Sequence, residues 1–332
     1  MDRKLRMSVI ILTRDGKGIE HCLSSVRESG KELGVQPEVS VVSDVPSEEL
    51  KELCEKYGAN YMVFKATPSK KRNYAVEKTN CDLIVFCDDD VVVPKNWLRA
   101  ILHHFEDEKV AVVGGPNINP PDSTLRERCS GYIFESFFGG ACMAVRYRTV
   151  SQSFESRTGE EFILCNMAVR RSVFDEVGGF SENLYPCEEN YLCYIIKEKG
   201  YKLVYEPRAF VWHKRRPLFI PHAKQVFNYG LGRAKMMRML RKFRPLYFLP
   251  STFVVGLIAG AVMSIFISIV RVIYLATLTI YTLMALASSV HMSIKHKDPK
   301  AFFLLFPGFF VHHVAYGLGF IKGLFAGLGE SS

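Results

Sequence analysis

A long stretch of sequence almost free of charge is the strongest constraint on the fold. Between residues 248 and 294 the only Lys, Arg, Asp or Glu is Arg271, and it separates two apolar runs of roughly 20 residues. Each run is long enough to cross a bilayer as a helix, so the pattern predicts a transmembrane hairpin. A third apolar run, residues 302–321, is interrupted by Pro307 and a pair of histidines and predicts either a further span or an interfacial helix. Buried helices of a water-soluble domain are the alternative, although such helices rarely run this far without charge.

The chain's charge is distributed unevenly. Its net charge is +9, yet residues 214–244 contain ten Lys and Arg and no Asp or Glu, and residues 1–213 carry about −4. Because the positive charge is confined to one band beside the apolar runs, we expect membrane lipids and not nucleic acid as partners. The positive-inside rule places this band and the later cluster Lys295, Lys297 and Lys300 in the cytoplasm, together with the amino-terminal domain.

The cysteines agree with that location. There are nine, all before residue 194, without a CxxC pair, and the first residues carry no secretory-signal pattern. We therefore expect reduced thiols packed in a core. The sequence predicts a membrane protein.

Residues 1–213 alternate short apolar, β-branched runs with helical patterns. Predicted strands cover 7–13, 38–44, 61–65, 82–88 and 110–115, and predicted helices cover 19–33, 47–57, 69–79 and 97–106. This alternation is typical of an α/β fold with a largely parallel sheet. Ligands of such sheets bind beyond the carboxyl ends of the strands.

Polar side chains follow three of these predicted strands. Residues 13–15 follow the first strand, Asp44 the second and Asp88 to Asp90 the fourth. Carboxylate oxygens gathered at one sheet edge suit Mg²⁺ or Mn²⁺. In an extended segment Asp88 and Asp90 point to one side and Asp89 to the other. A solvated acidic turn is the alternative for the aspartates.

A basic cluster opens the third predicted helix. Lys70, Lys71 and Arg72 lie near a helix amino terminus, where backbone N–H groups also attract anions. Arg72 could hold a diphosphate through paired hydrogen bonds. A solvated basic turn remains open for this cluster.

Several segments in order along residues 7–213 carry a family resemblance. They are MSVIILTRDG, VVSD, PSKKRNYAV, FCDDDVVVPKNWL, CNMAVRRSVFDEVGGF, CEENYLCYIIKEKGYKLVYEP and VWH. Together they resemble a family 2 glycosyltransferase of the GT-A type. The tail ending HHVAYGLGFIKGLF is similar to the membrane segments of bacterial and archaeal members that build surface polysaccharides or lipid-linked glycans. This resemblance favours the plasma membrane of a prokaryote as the location.

The resemblance implies a domain organisation. A GT-A domain, Rossmann-like with a mostly parallel central sheet, covers 1–213, with a nucleotide-binding part at about 1–115 and an acceptor part at about 116–213. A basic juxtamembrane segment at 214–247 and two or three membrane helices at 248–326 follow it.

The resemblance also implies a reaction. We expect metal-dependent transfer, with inversion, from a nucleotide diphosphate sugar (a UDP-sugar is favoured) to a polyprenyl-linked glycan at the cytoplasmic face. Polyprenyl phosphate is an alternative acceptor. Two alternatives come from other classes: a nucleotidyltransferase and a non-catalytic membrane scaffold. A nucleotidyltransferase would have a Gly-rich phosphate loop after the first strand, and the segment LTRDGKGIE of this chain lacks the arginine pattern of that loop.

Residue roles follow from the matched motifs. Nucleotide-sugar binding falls to Thr13, Asp44, Arg72, Asp88 and Asp89. Asp44 stands where the family recognises the base, although Ser-Asp-Val-Pro replaces the usual Asp-Asp-Gly-Ser.

The resemblance assigns the divalent metal, Mg²⁺ or Mn²⁺, to Asp90, Asp88 and His213. The catalytic base belongs to an acid pair, usually Glu-Asp, which here is Glu188 and Glu189. We expect Glu189 to take the proton from the acceptor hydroxyl, with Glu188 as the alternative.

Overall fold

The computed structural model describes residues 5–327. Its strands are β1 Met7–Leu12, β2 Glu38–Ser43, β3 Asn60–Val63, β4 Leu83–Asp88, β5 Val91–Val92, β6 Val110–Gly114, β7 Asn117–Ile118, β8 Phe154–Glu155, β9 Asn166–Arg170, β10 Lys202–Tyr205 and β11 Val211–His213. Its α-helices are α1 Ile19–Leu33, α2 Glu48–Lys56, α3 Pro68–Glu77, α4 Trp97–Leu102, α5 Leu125–Glu135, α6 Phe137–Gly140, α7 Arg171–Glu176, α8 Glu188–Glu198, α9 Ile220–Leu240, α10 Pro245–Phe266, α11 Ser268–Lys295 and α12 Ala301–Phe325. Short 3₁₀ helices cover His103–Glu106 and Ala141–Tyr147.

The main sheet has the strand order β3-β2-β1-β4-β9-β6-β10-β8. Its neighbours are parallel except where β9 pairs with β4 and β6 and where β8 pairs with β10. The predicted mostly parallel α/β sheet is therefore confirmed. Strand β9 is not among the predicted strands, and its antiparallel insertion between β4 and β6 brings the residues before it to the carboxyl end of β4.

A second, three-stranded sheet has the order β5-β11-β7. Strand β11 runs antiparallel to β5, with His213 opposite Val91, and parallel to β7. Because β5 follows the aspartates directly, this pairing fixes His213 beside Asp90.

Alternating side chains of β1 serve two hydrophobic layers. Val9 and Ile11 face a cluster that includes the buried face of α1, whereas Ile10 faces a cluster that includes α3 and α8. Helix α1 begins after Gly18 and ends before Gly34, both in the left-handed region that favours glycine. The sheet is thus covered on both faces, which leaves its carboxyl edge for ligands.

Residues 5–120 and 145–214 form one compact unit, and residues 121–144 and 215–327 form a second. In the second unit α10, α11 and α12 are each long and apolar enough to cross a membrane. Three apolar helices therefore follow the sheet domain. Arg271, in the first turn of α11, donates to the carbonyl oxygens of Ser264 and Ile265 at 2.8 and 3.2 Å and so caps the end of α10.

Helix α12 differs from the α10–α11 hairpin because it packs closely against α9. A Cβ atom at Gly319 would overlap the carbonyl oxygen of Phe227, and one at Gly323 would lie 2.5 Å from that of Leu231. Small residues of this kind let two helix backbones approach each other. His312, one of the histidines that interrupt this run, lies 3.0 Å from His222 of α9.

Helix α5 binds the loop between α11 and α12 through ion pairs. Glu135 lies 2.5 Å from Lys295 and 2.8 Å from His296, and Arg128 lies 2.8 Å from Asp298. Residues 121–144 therefore belong structurally with the apolar helices, although they lie between β7 and β8 in sequence.

Candidate active site

The site begins where three parallel strands end at one edge of the sheet. Thr13 follows β1, Asp44 follows β2 and Asp88 ends β4. Parallel pairing of β1 with both β2 and β4 brings these positions together although they are widely separated in sequence.

Thr13 and Asp89 contact each other. The Thr13 hydroxyl donates to Oδ2 of Asp89 at 2.5 Å and accepts from the backbone N–H of Gly16 at 2.9 Å. Burial raises the pKa of Asp89 to about 6; the Thr13 hydrogen bond opposes this shift, and the neighbouring aspartates add to it. Asp89 thus turns towards β1, whereas Asp88 and Asp90 have other partners.

Asp44 is paired with a buried lysine. Nζ of Lys71, a largely buried residue of α3, lies 2.8 Å from Oδ1 of Asp44, whose side chain remains partly exposed. A charge-assisted hydrogen bond of this length restrains the carboxylate orientation while one oxygen stays available. The sequence placed Lys71 in a basic cluster but did not predict this pairing.

Arg72, the next residue of α3, joins two parts of the site. Its Nη1 donates to Oε1 of Glu188 at 3.0 Å, and its Nη2 lies 3.6 Å from Oδ1 of Asp88. The guanidinium is buried and lies between the strand-end acids and the start of α8. Arg72 therefore positions both carboxylates, in addition to the diphosphate contact predicted for it.

The acid pair opens α8. Cys187 precedes it with a φ of 88°, a left-handed conformation that is strained for a residue other than glycine. Glu188 is 2% exposed and Glu189 is 9% exposed. Burial raises the pKa of Glu188 to about 8, and the charge of Glu189 adds to the rise, although Arg72 opposes it. Within residues 5–327 no side chain or backbone group forms a hydrogen bond to the Glu189 carboxylate.

A set of metal-ligating atoms lies beside the aspartates. A carboxylate oxygen of Asp88, Sγ of Cys165 and a ring nitrogen of His213 all lie within 4.8 Å of one another. Nε2 of His213 is also 3.1 Å from Oδ1 of Asp90. Carboxylate, thiolate and imidazole around one point form a donor set that fits a divalent cation.

The electrostatics of His213 reflect the same cluster. Burial by itself lowers the pKa of His213, but its contacts with Asp90 and Cys165 outweigh burial and raise the pKa to about 10. The surroundings of this ring therefore favour positive charge, which either a proton on the ring or a cation bound to its deprotonated nitrogen would supply.

Two members of the site, Cys165 and Asn117, are absent from the sequence prediction. The buried Asn117 amide nitrogen lies 3.1 Å from Sγ of Cys165 and 3.4 Å from Nδ1 of His213. No CxxC or short metal-binding spacing marks Cys165, so only the pairing of distant strands reveals it. Asn166, the residue after Cys165, accepts a hydrogen bond from the Trp97 indole N–H and donates to the backbone carbonyl groups of Pro116 and Ala209 in the interior.

A family model matches much of the chain that builds this site. Residues 8–178 match the model described as "Glycosyl transferase family 2". The chain belongs to glycosyl transferase family 2. This membership confirms the predicted family and supports a glycosyltransferase over the nucleotidyltransferase and scaffold alternatives.

Related sequences agree with this assignment. The chain is 30% identical over 159 residues to the pre-mycofactocin glycosyltransferase of Mycobacterium tuberculosis (strain CDC 1551 / Oshkosh), covering 45% of this chain and 30% of that protein. It is 26% identical over 172 residues to the O-antigen chain rhamnosyltransferase RfbN of Salmonella typhimurium (49% and 51% covered). It is 27% identical over 214 residues to the O-antigen chain rhamnosyltransferase WbaN of Salmonella anatum (60% and 64% covered). The chain thus spans less than two thirds of each relative's length.

A solved structure shows the same fold over nearly the whole chain. The mannosyltransferase PcManGT from Pyrobaculum calidifontis, in complex with GDP-Man and Mn²⁺, superposes with a TM-score of 0.57 at 15% identity. The match covers 98% of this chain and 88% of that one. The predicted GT-A fold with an apolar helical tail is therefore confirmed.

Proposed function

We propose that this glycosyltransferase moves a sugar, with inversion, from a nucleotide diphosphate sugar to a membrane-borne, polyprenyl-linked glycan at the cytoplasmic face. One observation carries the proposal. The carboxyl edge of the sheet assembles a lysine-held aspartate, a metal-ligand cluster and a buried glutamate without a hydrogen-bond donor.

The nucleotide would bind at the β1–β2 end of the site. Asp44 accepts hydrogen bonds from the base, and Lys71 holds its carboxylate in place. Thr13 lies next to this position and next to Asp89. A UDP-sugar is favoured by the family resemblance at Asp44, whereas PcManGT is described with GDP-Man, so both nucleotides belong in the test.

The diphosphate would lie beside the metal-ligand cluster. Asp88, Asp90 and His213 would hold the divalent cation, which supplies positive charge for the departing nucleoside diphosphate. Arg72 adds a fixed positive charge and keeps Asp88 in position.

Glu189 is the group best placed to act as the base. An acceptor hydroxyl is a weak nucleophile, and removing its proton as it attacks typically accelerates transfer by about 10²- to 10⁴-fold. Arg72 engages the neighbouring Glu188, whereas Glu189 keeps its hydrogen-bonding capacity. Attack on the anomeric carbon from the side opposite the leaving diphosphate inverts its configuration.

The apolar tail supports a lipid-linked acceptor. An open groove of about 590 Å³ in the second unit is lined mainly by apolar side chains of α9 and α12, together with Lys224 and Asn228. Two relatives are named O-antigen chain rhamnosyltransferases, which supports a glycan as the acceptor. The basic residues before α10 and after α11 lie at the same end of the hairpin, which favours a cytoplasmic catalytic domain.

The test is a transfer assay with the full chain in detergent or nanodiscs. Uridine, guanosine and thymidine diphosphate sugars are supplied with Mn²⁺ or Mg²⁺ and one of three acceptors: polyprenyl phosphate, a polyprenyl diphosphate-linked sugar, or none. We expect metal-dependent product only with the diphosphate-linked sugar, and nuclear magnetic resonance of that product should show an inverted anomeric centre.

Each other outcome corrects a defined part of the proposal. Product from polyprenyl phosphate alone makes that lipid the acceptor, and full activity in chelator removes the metal from the mechanism. Retained configuration contradicts the single displacement and the role given to Glu189.

A further inference from the structure

We propose that Cys165 is a direct sulfur ligand of the divalent cation, so that the site prefers thiophilic cations such as Co²⁺ and Zn²⁺ over Mg²⁺. This inference rests on the metal site of the proposed function. It goes beyond that function because it adds a ligand and the resulting choice of metal.

Strand pairing places the thiol at the metal-ligand cluster. In the β4–β9 ladder Asn166 stands opposite Cys87, so Cys165, one residue earlier, lies beside Asp88 at the end of β4. The separate pairing of β11 with β5 sets His213 opposite Val91. Two independent ladders therefore bring sulfur and imidazole to the same carboxylate.

The distances suit a single ion. Metal–ligand distances of about 2.0–2.3 Å for oxygen, nitrogen and sulfur place any two ligands of one ion no more than about 4.6 Å apart. The Asp88, Cys165 and His213 donor atoms lie within 4.8 Å of one another, so small side-chain movements suffice. Asp90, with its oxygen 3.1 Å from Nε2 of His213, is available as a fourth ligand.

Asn117 holds the thiol and the imidazole together. Its buried amide nitrogen contacts both Sγ of Cys165 and Nδ1 of His213. An N–H donated to sulfur fixes the position of the Sγ atom beside the imidazole, and sulfur is a ligand atom that first-row cations accept. Groups that orient metal ligands in this way typically affect metal affinity by about 10- to 100-fold.

Sulfur changes which cations the site prefers. Mg²⁺ is a hard ion that binds oxygen and keeps several waters, whereas thiolate and imidazole suit softer first-row ions. A site with only aspartates would discriminate weakly between Mg²⁺ and softer first-row cations. The buried Cys165 next to His213 adds the sulfur and nitrogen atoms that favour the softer cations.

The experiment is a cobalt titration of the full chain, followed by absorption spectroscopy. Thiolate bound to Co²⁺ gives a charge-transfer band in the near ultraviolet, separate from the visible bands of bound Co²⁺. We expect the band in the unmodified protein and in Cys54→Ser, a matched control whose thiol is equally buried but lies outside the metal-ligand cluster. Cys165→Ser should lose the band, and its Co²⁺ and Zn²⁺ affinities should fall by about 10- to 100-fold while its Mg²⁺ affinity stays unchanged.

The outcomes separate this inference from the proposed function. Co²⁺ binding with visible bands but no charge-transfer band, or a band that survives in Cys165→Ser, overturns the sulfur ligand and leaves the aspartate–histidine site standing. An absence of Co²⁺ binding overturns both the sulfur ligand and the metal site. Failure of sugar transfer in a protein that shows the band overturns the proposed reaction alone. Circular dichroism and thermal melting of Cys165→Ser and Cys165→Ala identify any loss of folding.

Discussion

Two regions of the first compact unit bury a glutamate equally well but shift the pKa of its carboxyl group in opposite directions. Glu206, after β10, is 1% exposed, and Glu188, at the start of α8, is 2% exposed. Burial by itself raises the pKa of both carboxyls. At Glu206 the hydrogen bonds from Arg208 and the contact with His104 outweigh burial and lower the pKa to about 2. At Glu188 burial and the charge of Glu189 outweigh Arg72 and raise the pKa to about 8.

The difference lies in how completely the protein satisfies each carboxylate. Glu206 accepts three hydrogen bonds from Arg208, at 2.8 to 3.1 Å, and lies 2.7 Å from Nε2 of His104. Glu188 accepts one from Arg72 and has a second carboxylate as its neighbour in sequence. A buried carboxylate whose hydrogen bonds are all made contributes to stability. A buried pair of carboxylates with few donors is instead typical of sites that bind ligands or transfer protons.

The largest effect should come from Glu189→Gln. Removing the proton acceptor should lower kcat by about 10²- to 10⁴-fold and leave donor binding nearly unchanged, since the amide keeps the shape of the side chain. The check is steady-state transfer together with nucleotide binding. Glu198→Gln, at the exposed end of the same helix, is the control and should retain activity. If Glu188→Gln lost more activity than Glu189→Gln, the two roles would be reversed.

Glu206→Gln should reduce stability and spare the chemistry. The amide leaves donors of Arg208 and His104 without a partner, at a cost of about 1–3 kcal/mol. A lowered pKa in the folded state means that the stabilisation is present above the unfolded pKa of about 4.3 and is lost as pH falls towards about 2. Melting temperatures measured from pH 7 down to pH 2 should therefore move closer together for the variant and the unmodified protein as pH falls below about 4.3. A constant gap between them would contradict this account.

Lys71→Met tests whether the ion pair between Lys71 and Asp44 is required for donor binding. Loss of a charge-assisted hydrogen bond should raise the donor KM roughly tenfold, which corresponds to about 1.4 kcal/mol, with little change in kcat. Lys70→Met, at the more exposed neighbouring residue, serves as the control. A fall in kcat at unchanged KM would remove Lys71 from nucleotide binding.

The smallest effect, and one of opposite sign to Glu206→Gln, is expected for the stability of Glu188→Gln. A raised pKa means that Glu188 destabilises the fold increasingly as pH rises from about 4.3 towards 8. A neutral amide that still accepts from Arg72 removes this penalty and should add about 0.5 kcal/mol at pH 8 and nothing at pH 4.5. Thermal melting at the two pH values is the measurement. Destabilisation at pH 8 would show that the ion pair with Arg72 outweighs burial.

Local sequence patterns predicted the positions of helices and strands better than the contacts between them. The helix expected at 19–33 coincides with α1 because its apolar positions and its flanking glycines agree. The helix expected at 97–106 instead ends at Leu102, and its last turn tightens into a 3₁₀ helix. The acids at the strand ends met as expected because parallel strands share one carboxyl edge.

The remaining contacts of the site could not be inferred from local sequence. Arg72 and Glu188 are 116 positions apart, and Asn117 and Cys165 are 48 apart. Contacts of this kind depend on the antiparallel insertion of β9 and on the small sheet around β11, neither of which leaves a periodic signature. The predicted roles of Thr13, Asp44, Asp88, Asp89, Asp90 and His213 stay predictions until the variants are measured.

The glycine contact between α9 and α12 fixes the distance between the two helix backbones. Helix α9 carries part of the basic band, and α12 carries a long apolar surface. We therefore expect the depth of α12 in a bilayer to set the distance between the cations of α9 and lipid phosphates. A bulky residue at Gly319 would separate the two helices. The distance between the cations of α9 and the lipid phosphates would then no longer depend on the position of α12 in the membrane.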